Sequence, residues 1–179
     1  VVGSYLRLID ATTKEIVASE ARIRKSAMRH PGAQLLQTIP GIGPYRSLLL
    51  VAEILPIGRF PSPDHLVSYA GLAPRTRSSG GITRHGRIPR SANRWVRGEL
   101  VSAIPTHVRL APGSPLTRHY EMLKERIGWP KARVAAARKL ARVIHRMLET
   151  GEVWRGESPV DSPAEGESSE PMCGLDRPR

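Results

Sequence analysis

The stretch Leu35–Ile54, LLQTIPGIGPYRSLLLVAEI, constrains the fold of this chain more than any other. Leu35, Leu36 and Ile39 recur at helical spacing and end on Pro40-Gly41-Ile42-Gly43, a run that breaks regular structure. Pro44 suits the first position of a second helix, because the N–H it lacks would be unpaired there in any case. Leu48, Val51, Ala52 and Leu55 are expected to line that helix's buried face. The segment therefore reads as two helices joined by a tight turn. Glycines at 41 and 43 leave room for a phosphate, and the following helix offers unpaired N–H groups and its positive dipole end. Gly41, Ile42 and Gly43 are thus candidate contacts to a nucleic-acid backbone, of a kind that positions a strand without reading its sequence.

The apolar-Gly-apolar-Gly pattern resembles the helix-hairpin-helix motif, although a plain helical hairpin would carry the same Gly-x-Gly. The rest of the chain also reads as mainly α. From Val2 to Met28 there is no proline and no glycine after Gly3, and Val2, Ile9, Ile16 and Ile23 recur every seven residues. This is a long amphipathic helix with a thin apolar seam, suited either to a short coiled coil or to packing on its own domain. Ser62-Pro63-Asp64 reads as a helix start, with Gly71 at the end of that helix. Residues 73–90 read as extended or hairpin-like, punctuated by Gly80-Gly81 and Gly86, and Ser91 is expected to cap the next helix. Val96, Leu100, Ala103 and Ile104 form its apolar stripe. Ser114-Pro115 opens another helix, with Leu116, Tyr120, Leu123 and Ile127 inward and Gly128 at its end. A last helix over 131–149 turns Val134, Ala137, Ala141, Ile144 and Leu148 to the core. Its Lys131, Arg133, Arg138, Lys139, Arg142 and Arg146 are expected outside, as a second nucleic-acid face or a solvated one. With one Phe, three Trp and four Tyr in 179 residues, the core has to be aliphatic. The expected organisation is a connecting helix over 1–30, a helical domain over 31–150 and a disordered acidic tail over 151–179.

Charge then points to a partner. The net charge is +12, and residues 1–150 carry 25 basic and 9 acidic side chains. A polyanion is the implied ligand, nucleic acid first and an anionic membrane surface second. The charge is concentrated: from Arg75 to Arg97 run seven arginines and no acid, namely Arg75, Arg77, Arg84, Arg87, Arg90, Arg94 and Arg97. Guanidinium forks match phosphate oxygens two at a time. Ser78 and Ser79 sit in the middle, directly before Gly80-Gly81. The acidic tail could fold back over this face as a competitor. No apolar run approaches the ~20 residues that span a bilayer. There is no secretory leader pattern, and Cys173 alone supports neither an internal disulfide nor a cysteine-based zinc site. A cytoplasmic location is the expectation.

Several short motifs occur in order: Ile39-Pro-Gly-Ile-Gly43, Glu53-Ile54, Arg59-Phe60, Tyr69-Ala-Gly-Leu-Ala-Pro74, Ser79-Gly80 and Ser91-Ala-Asn-Arg94. Together they resemble the C-terminal domain of the DEDD-type insertion-sequence transposases, the Piv/MooV or IS-one-ten type, over roughly Leu35 to Gly151. The resemblance implies a recombinase whose N-terminal RuvC-like domain supplies four acidic Mg²⁺ ligands. A helical connector would lead to a C-terminal domain bearing a nucleophilic serine in a Pro-Arg-x-x-x-Ser-Gly context. Here that context is Pro74 to Gly80, which implies Ser79 as the residue that attacks a DNA phosphodiester, with Ser78 as the alternative. Arg75, Arg77 and Arg84 are the candidates for stabilising charge on the transferring phosphate. The resemblance further implies a structured guide RNA and a multimer, for which the N-terminal helix is the candidate contact. The RuvC-like half and its acids are not in these residues, so Mg²⁺ would be held by a part of the protein outside this chain. The alternative is a non-catalytic helix-hairpin-helix module that binds DNA or RNA.

Overall fold

The structure, a computed structural model, describes residues 2–73, 75–79, 82–86 and 92–156, with 75–79 and 82–86 described as backbone. Among these residues the chain is mainly helical, as expected. It comprises α1 (Val2–Arg29), α2 (Pro31–Gln37), α3 (Pro44–Ile54), α4 (Pro63–Tyr69), α5 (Arg94–Leu110), α6 (Pro115–Ile127) and α7 (Trp129–Thr150). A 3-10 turn spans Ile57–Arg59, and two strands, β1 (Arg75–Ser79) and β2 (Ile82–Gly86), pair as an antiparallel ribbon. Prolines set the helix starts. Pro31, Pro44, Pro63 and Pro115 each open a helix, where the missing N–H removes no intrahelical bond. Gly128, at φ 81°, ends α6 and leads straight into α7.

Helix α7 is the centre of the domain. It packs against α2, α4, α5, α6 and the 3-10 turn. Ala132, Ala136, Ala137, Leu140, Ala141, Val143, Ile144, His145 and Met147 are all buried along it. A helix apolar on most of its circumference is surrounded by neighbours, and its alanines let those neighbours approach closely. The expected stripe of α7 was too narrow. Of the six cations expected outside, Lys131 and Arg146 are exposed, while Arg133, Arg138, Lys139 and Arg142 are half-buried, as a long side chain can lay its stem along a core and carry its head to an acceptor. Arg138 donates twice to the Leu72 carbonyl, at 3.1 and 2.9 Å. Arg142 pairs with Asp64 at 2.7 Å. These two cations hold neighbouring elements; they do not form an open basic face.

Other expectations shift by a residue or two. The buried face of α3 is Ser47, Leu50, Val51 and Ile54, while Ala52 is exposed and Leu48 and Leu55 are half-buried. Ser62 precedes α4 but bonds His65 Nδ1 at 2.8 Å and caps no backbone N–H. On α6 only Leu116 of the expected apolar set is fully buried, and Ile127 is exposed. The stripe on α5, Val96, Leu100, Ala103 and Ile104, is buried as expected. The cap of α5 is Asn93, whose Oδ1 accepts from Trp95 N and Val96 N; Ser91 lies outside the described residues. At the head of the tail expected to begin at Gly151, Trp154 is half-buried, while Gly151, Glu152, Val153 and Arg155 are exposed. Trp154 N donates to Thr38 Oγ1 at 3.0 Å, and its ring meets His107 edge-on at 5.7 Å. Residues 157–179 lie outside the described residues.

Helix α1 docks through its last turns on α2 and α3, where Ala27 is buried. Its earlier apolar residues, Val2, Tyr5, Leu6, Leu8, Ile9, Ile16 and Val17, are all more than half exposed. No described helix is long and apolar enough to cross a membrane.

Candidate nucleic-acid interface

The basic segment runs in sequence between α4 and α5, and one polar cluster joins described residues on its two sides. Asn93 N donates to the Tyr69 carbonyl at 2.8 Å. Asn93 Nδ2 donates to Glu53 Oε2 at 2.7 Å and to Tyr69 Oη at 2.9 Å. Tyr69 in turn lies 5.3 Å from Phe60, centroid to centroid. The Arg59 guanidinium covers both rings, at 4.6 and 4.9 Å, and donates to the Glu53 carbonyl. His145 from α7 donates to the Phe60 carbonyl at 2.9 Å. Glu53, Arg59-Phe60, Tyr69 and Asn93 are dispersed over forty residues of sequence, yet they form one clamp. With Arg138 holding Leu72, described residues on both sides of the basic segment are tied to the helical domain. Asn93→Ala removes a helix cap and the partner of Glu53 and Tyr69. It should lower stability by about 2 kcal/mol, read as a fall in the urea midpoint.

The ribbon lies between these points in sequence. Its register pairs Arg75 with Gly86, Arg77 with Arg84, Ser78 with Thr83 and Ser79 with Ile82. Side chains alternate between faces along a strand, and directly paired residues share a face. Positions 75, 77, 79, 82 and 84 therefore belong to one face, and 76, 78, 83 and 85 to the other. The register brings Ser79 to the same face as Arg75, Arg77 and Arg84, and it separates Ser79 from Ser78 and His85. Past the ribbon, Arg94 is exposed and Arg97 half-buried; neither guanidinium has a partner among the described residues. Arg87 and Arg90 lie outside the described residues.

The turn between α2 and α3 is held from behind. Gly41, at φ 91°, brings its backbone against α5, where a Cβ would lie 2.9 Å from His107 N. Its carbonyl accepts from Arg46 Nη1 at 2.8 Å. Arg46 also donates to Glu99 Oε2 at 3.0 Å and Ser102 Oγ at 3.2 Å. The glycine at 41 thus serves the approach of the turn to its own domain. Ile42, expected at a ligand, puts its side chain into the core at 4% exposure. Gly43 is exposed at the N-terminus of α3, so the outward side of this turn is the Gly43–Tyr45 edge.

His107 locks the arrangement. The Pro40 carbonyl can only accept, so Nδ1–H donates to it, at 2.8 Å. Nε2 of the neutral ring then accepts from Ser114 Oγ–H at 2.7 Å, and Ser114 Oγ accepts from Thr117 N at 3.1 Å. Burial pushes the His107 pKa below the usual 6.5, against a smaller upward pull from the Pro40 carbonyl. A histidine neutral in the folded state and protonated in the unfolded state stabilises fully above its unfolded pKa and loses that contribution as pH falls below it. Between about pH 7.5 and about pH 5.5, the chain should lose more stability than a His107→Gln variant, by at most about 1.4 kcal/mol per pH unit. Urea midpoints of the two proteins at both pH values check this.

The clamp, the arginine ribbon and the braced glycine turn all lie within residues 33–120, the span that matches the model of the transposase IS116/IS110/IS902 family. Residues 33–120 are an IS116/IS110/IS902-family transposase domain. The chain is 29% identical over 164 residues to the 43.6 kDa protein of insertion element IS110 from Streptomyces coelicolor, covering 89% of this chain and 39% of that protein. It is 30% identical over 139 residues to the transposase for insertion sequence element IS1111A of Coxiella burnetii, covering 76% and 38%. Over 69 residues it is 44% identical to the pilin gene-inverting protein of Moraxella bovis, covering 38% and 21%. The chain spans about two fifths or less of the length of these relatives.

Within the transposase domain, sequence reasoning missed Arg46, Asn93, Trp95 and His107. Only Asn93 carried a local signal, as an asparagine just before a helical run. The others do their work through contacts across 50 or more residues, or stand at an exposed position no pattern marks. Among the described residues no three His, Cys, Asp or Glu side chains converge as a metal site.

Proposed function

We propose that this chain is the DNA-binding, serine-bearing C-terminal part of a DEDD-type transposase, and that Ser79 is its nucleophile. The observation that carries the reading is the ribbon register, which puts Ser79 on the same face as Arg75, Arg77 and Arg84. In the proposed step the Ser79 hydroxyl oxygen bonds to a DNA phosphorus and gives up its proton. The bond from that phosphorus to one sugar oxygen breaks, and the freed oxygen leaves as a hydroxyl after taking a proton. Arginines facing the phosphate oppose the charge that builds on its oxygens. A serine hydroxyl needs activation at neutral pH, and His85 belongs to the opposite face. The base therefore comes from the acidic RuvC-like part of the longer protein. Mg²⁺ held by those acids would supply Lewis-acid stabilisation when bound.

The α2–α3 turn fits a helix-hairpin-helix contact to a DNA backbone through its Gly43 edge, with Arg87, Arg90, Arg94 and Arg97 extending the basic surface. A structured RNA encoded by the element guides the complex, and the exposed apolar side of α1 joins copies of the protein. The place of action is the cytoplasm. The test is reconstitution: this chain, the separately expressed acidic half, Mg²⁺, the element's RNA and end-labelled element DNA. A denaturing gel should show a protein–DNA adduct, and peptide mapping should place the nucleotide on Ser79. Tight DNA binding with no adduct would leave a non-catalytic binding module.

A further inference from the structure

Trp95 is the most exposed large aromatic side chain described, at 68%. The other two tryptophans are engaged. Arg133 sits over the Trp129 ring at 5.7 Å, and Trp154 packs edge-on against His107. The Trp95 indole has no ring, cation or hydrogen-bond partner among the described residues. Its backbone, by contrast, is pinned. Trp95 N donates to Asn93 Oδ1 at 2.9 Å, and Asn93 is the centre of the clamp. The indole is therefore a bare planar surface on a fixed support.

Its surroundings select the ligand. Arg94, its exposed chain neighbour in the first turn of α5, has no partner of its own among the described residues, and no acid occurs between Arg75 and Glu99. Glu99, one turn further along the same side of α5, is already paired with Arg46 at 3.0 Å. Helical side chains lean towards the N-terminus, here towards the point where the arginine-rich segment rejoins the domain. A protein partner with an apolar patch would meet the uncompensated Arg94 guanidinium at the end of an arginine-rich segment. A nucleic-acid strand puts a base on the ring and phosphates on the arginines.

We propose that Trp95 stacks an unpaired nucleobase of a strand whose phosphate backbone passes Arg94. The inference rests on the nucleic-acid reading above and narrows it: part of the ligand must have an unstacked base, as in single-stranded DNA or an RNA loop. The test measures fluorescence anisotropy of labelled oligothymidylate, oligouridylate and a blunt DNA duplex with the full chain and its Trp95→Ala, Trp95→Leu and Trp95→Phe variants. Trp95→Ala and Trp95→Leu should weaken single-strand binding roughly 5- to 150-fold. Trp95→Phe should retain most of it. Duplex binding should stay within about twofold, and the salt dependence of single-strand binding should not change, since no charge is lost. A loss confined to the DNA or to the RNA strand would tell which one supplies the base. Trp129→Ala should change nothing, and unchanged helical circular dichroism confirms folding at this exposed position. Equal weakening of duplex and single strand, or Trp95→Leu binding as the parent does, would overturn the stacking role. If the parent binds no nucleic acid at all, the wider nucleic-acid reading fails with it.

Discussion

Ser79→Ala should abolish the protein–DNA adduct in the reconstituted system while leaving DNA affinity within about twofold of the parent. The affinity half of this expectation follows from charge: binding to DNA is dominated by cation–phosphate contacts, and this substitution removes no cation. The chemical half follows from the ribbon. Ser78 and Ser79 are neighbours in sequence, but the register puts them on opposite faces, Ser78 opposite Thr83 and Ser79 opposite Ile82. A phosphate held by Arg75, Arg77 and Arg84 is offered to one face only. Ser78→Ala should therefore keep the adduct. Loss of the adduct in Ser78→Ala and its survival in Ser79→Ala would reverse the assignment. Survival in both would remove serine chemistry from this segment.

Gly41→Ala should destabilise the domain by about 3 kcal/mol or more, the largest stability effect expected of a single substitution here. Two separate terms contribute. The backbone stands at φ 91°, where an L-residue pays roughly 1–2 kcal/mol. The new methyl would also lie 2.9 Å from His107 N and 3.2 Å from the Ala103 carbonyl oxygen. Those atoms belong to the α5 backbone and cannot turn aside like a flexible side chain, so α5 or the turn must move, at about 1–3 kcal/mol. Movement there would also disturb the bonds from Arg46 to Gly41 O and from His107 to Pro40 O. A urea titration followed by circular dichroism reads the loss. Gly43→Ala is the control, because a Cβ at 43 meets nothing within 4 Å and its φ is negative. Equal stability of the two variants would mean that the turn is not packed as described.

Much of the architecture was legible from residue order. Prolines at 31, 44, 63 and 115 mark helix starts because their chemistry is local: a missing N–H and a set φ act on the next few residues alone. The stripe Val96–Leu100–Ala103–Ile104 was legible because periodicity is also local. Burial around α7 was not. Arg138 and Arg142 look solvent-facing in sequence, and only the arrival of Leu72 and Asp64 from elsewhere turns them into fasteners.

The candidate site divides in the same way. From sequence alone came the mainly helical class, the glycine turn and the arginine-rich segment, since composition and short motifs need no partner; Ser79 was singled out by the family resemblance of Pro74 to Gly80. Only the tertiary structure decided what those features face. It turned Gly41 and Ile42 inward, joined Glu53, Tyr69 and Asn93 into one clamp, and left Trp95 in the open. The physical reason is that hydrogen bonds and packing across forty or more residues depend on where helices cross. Helix crossings are set by the whole core at once and are not encoded in any one stretch of chain.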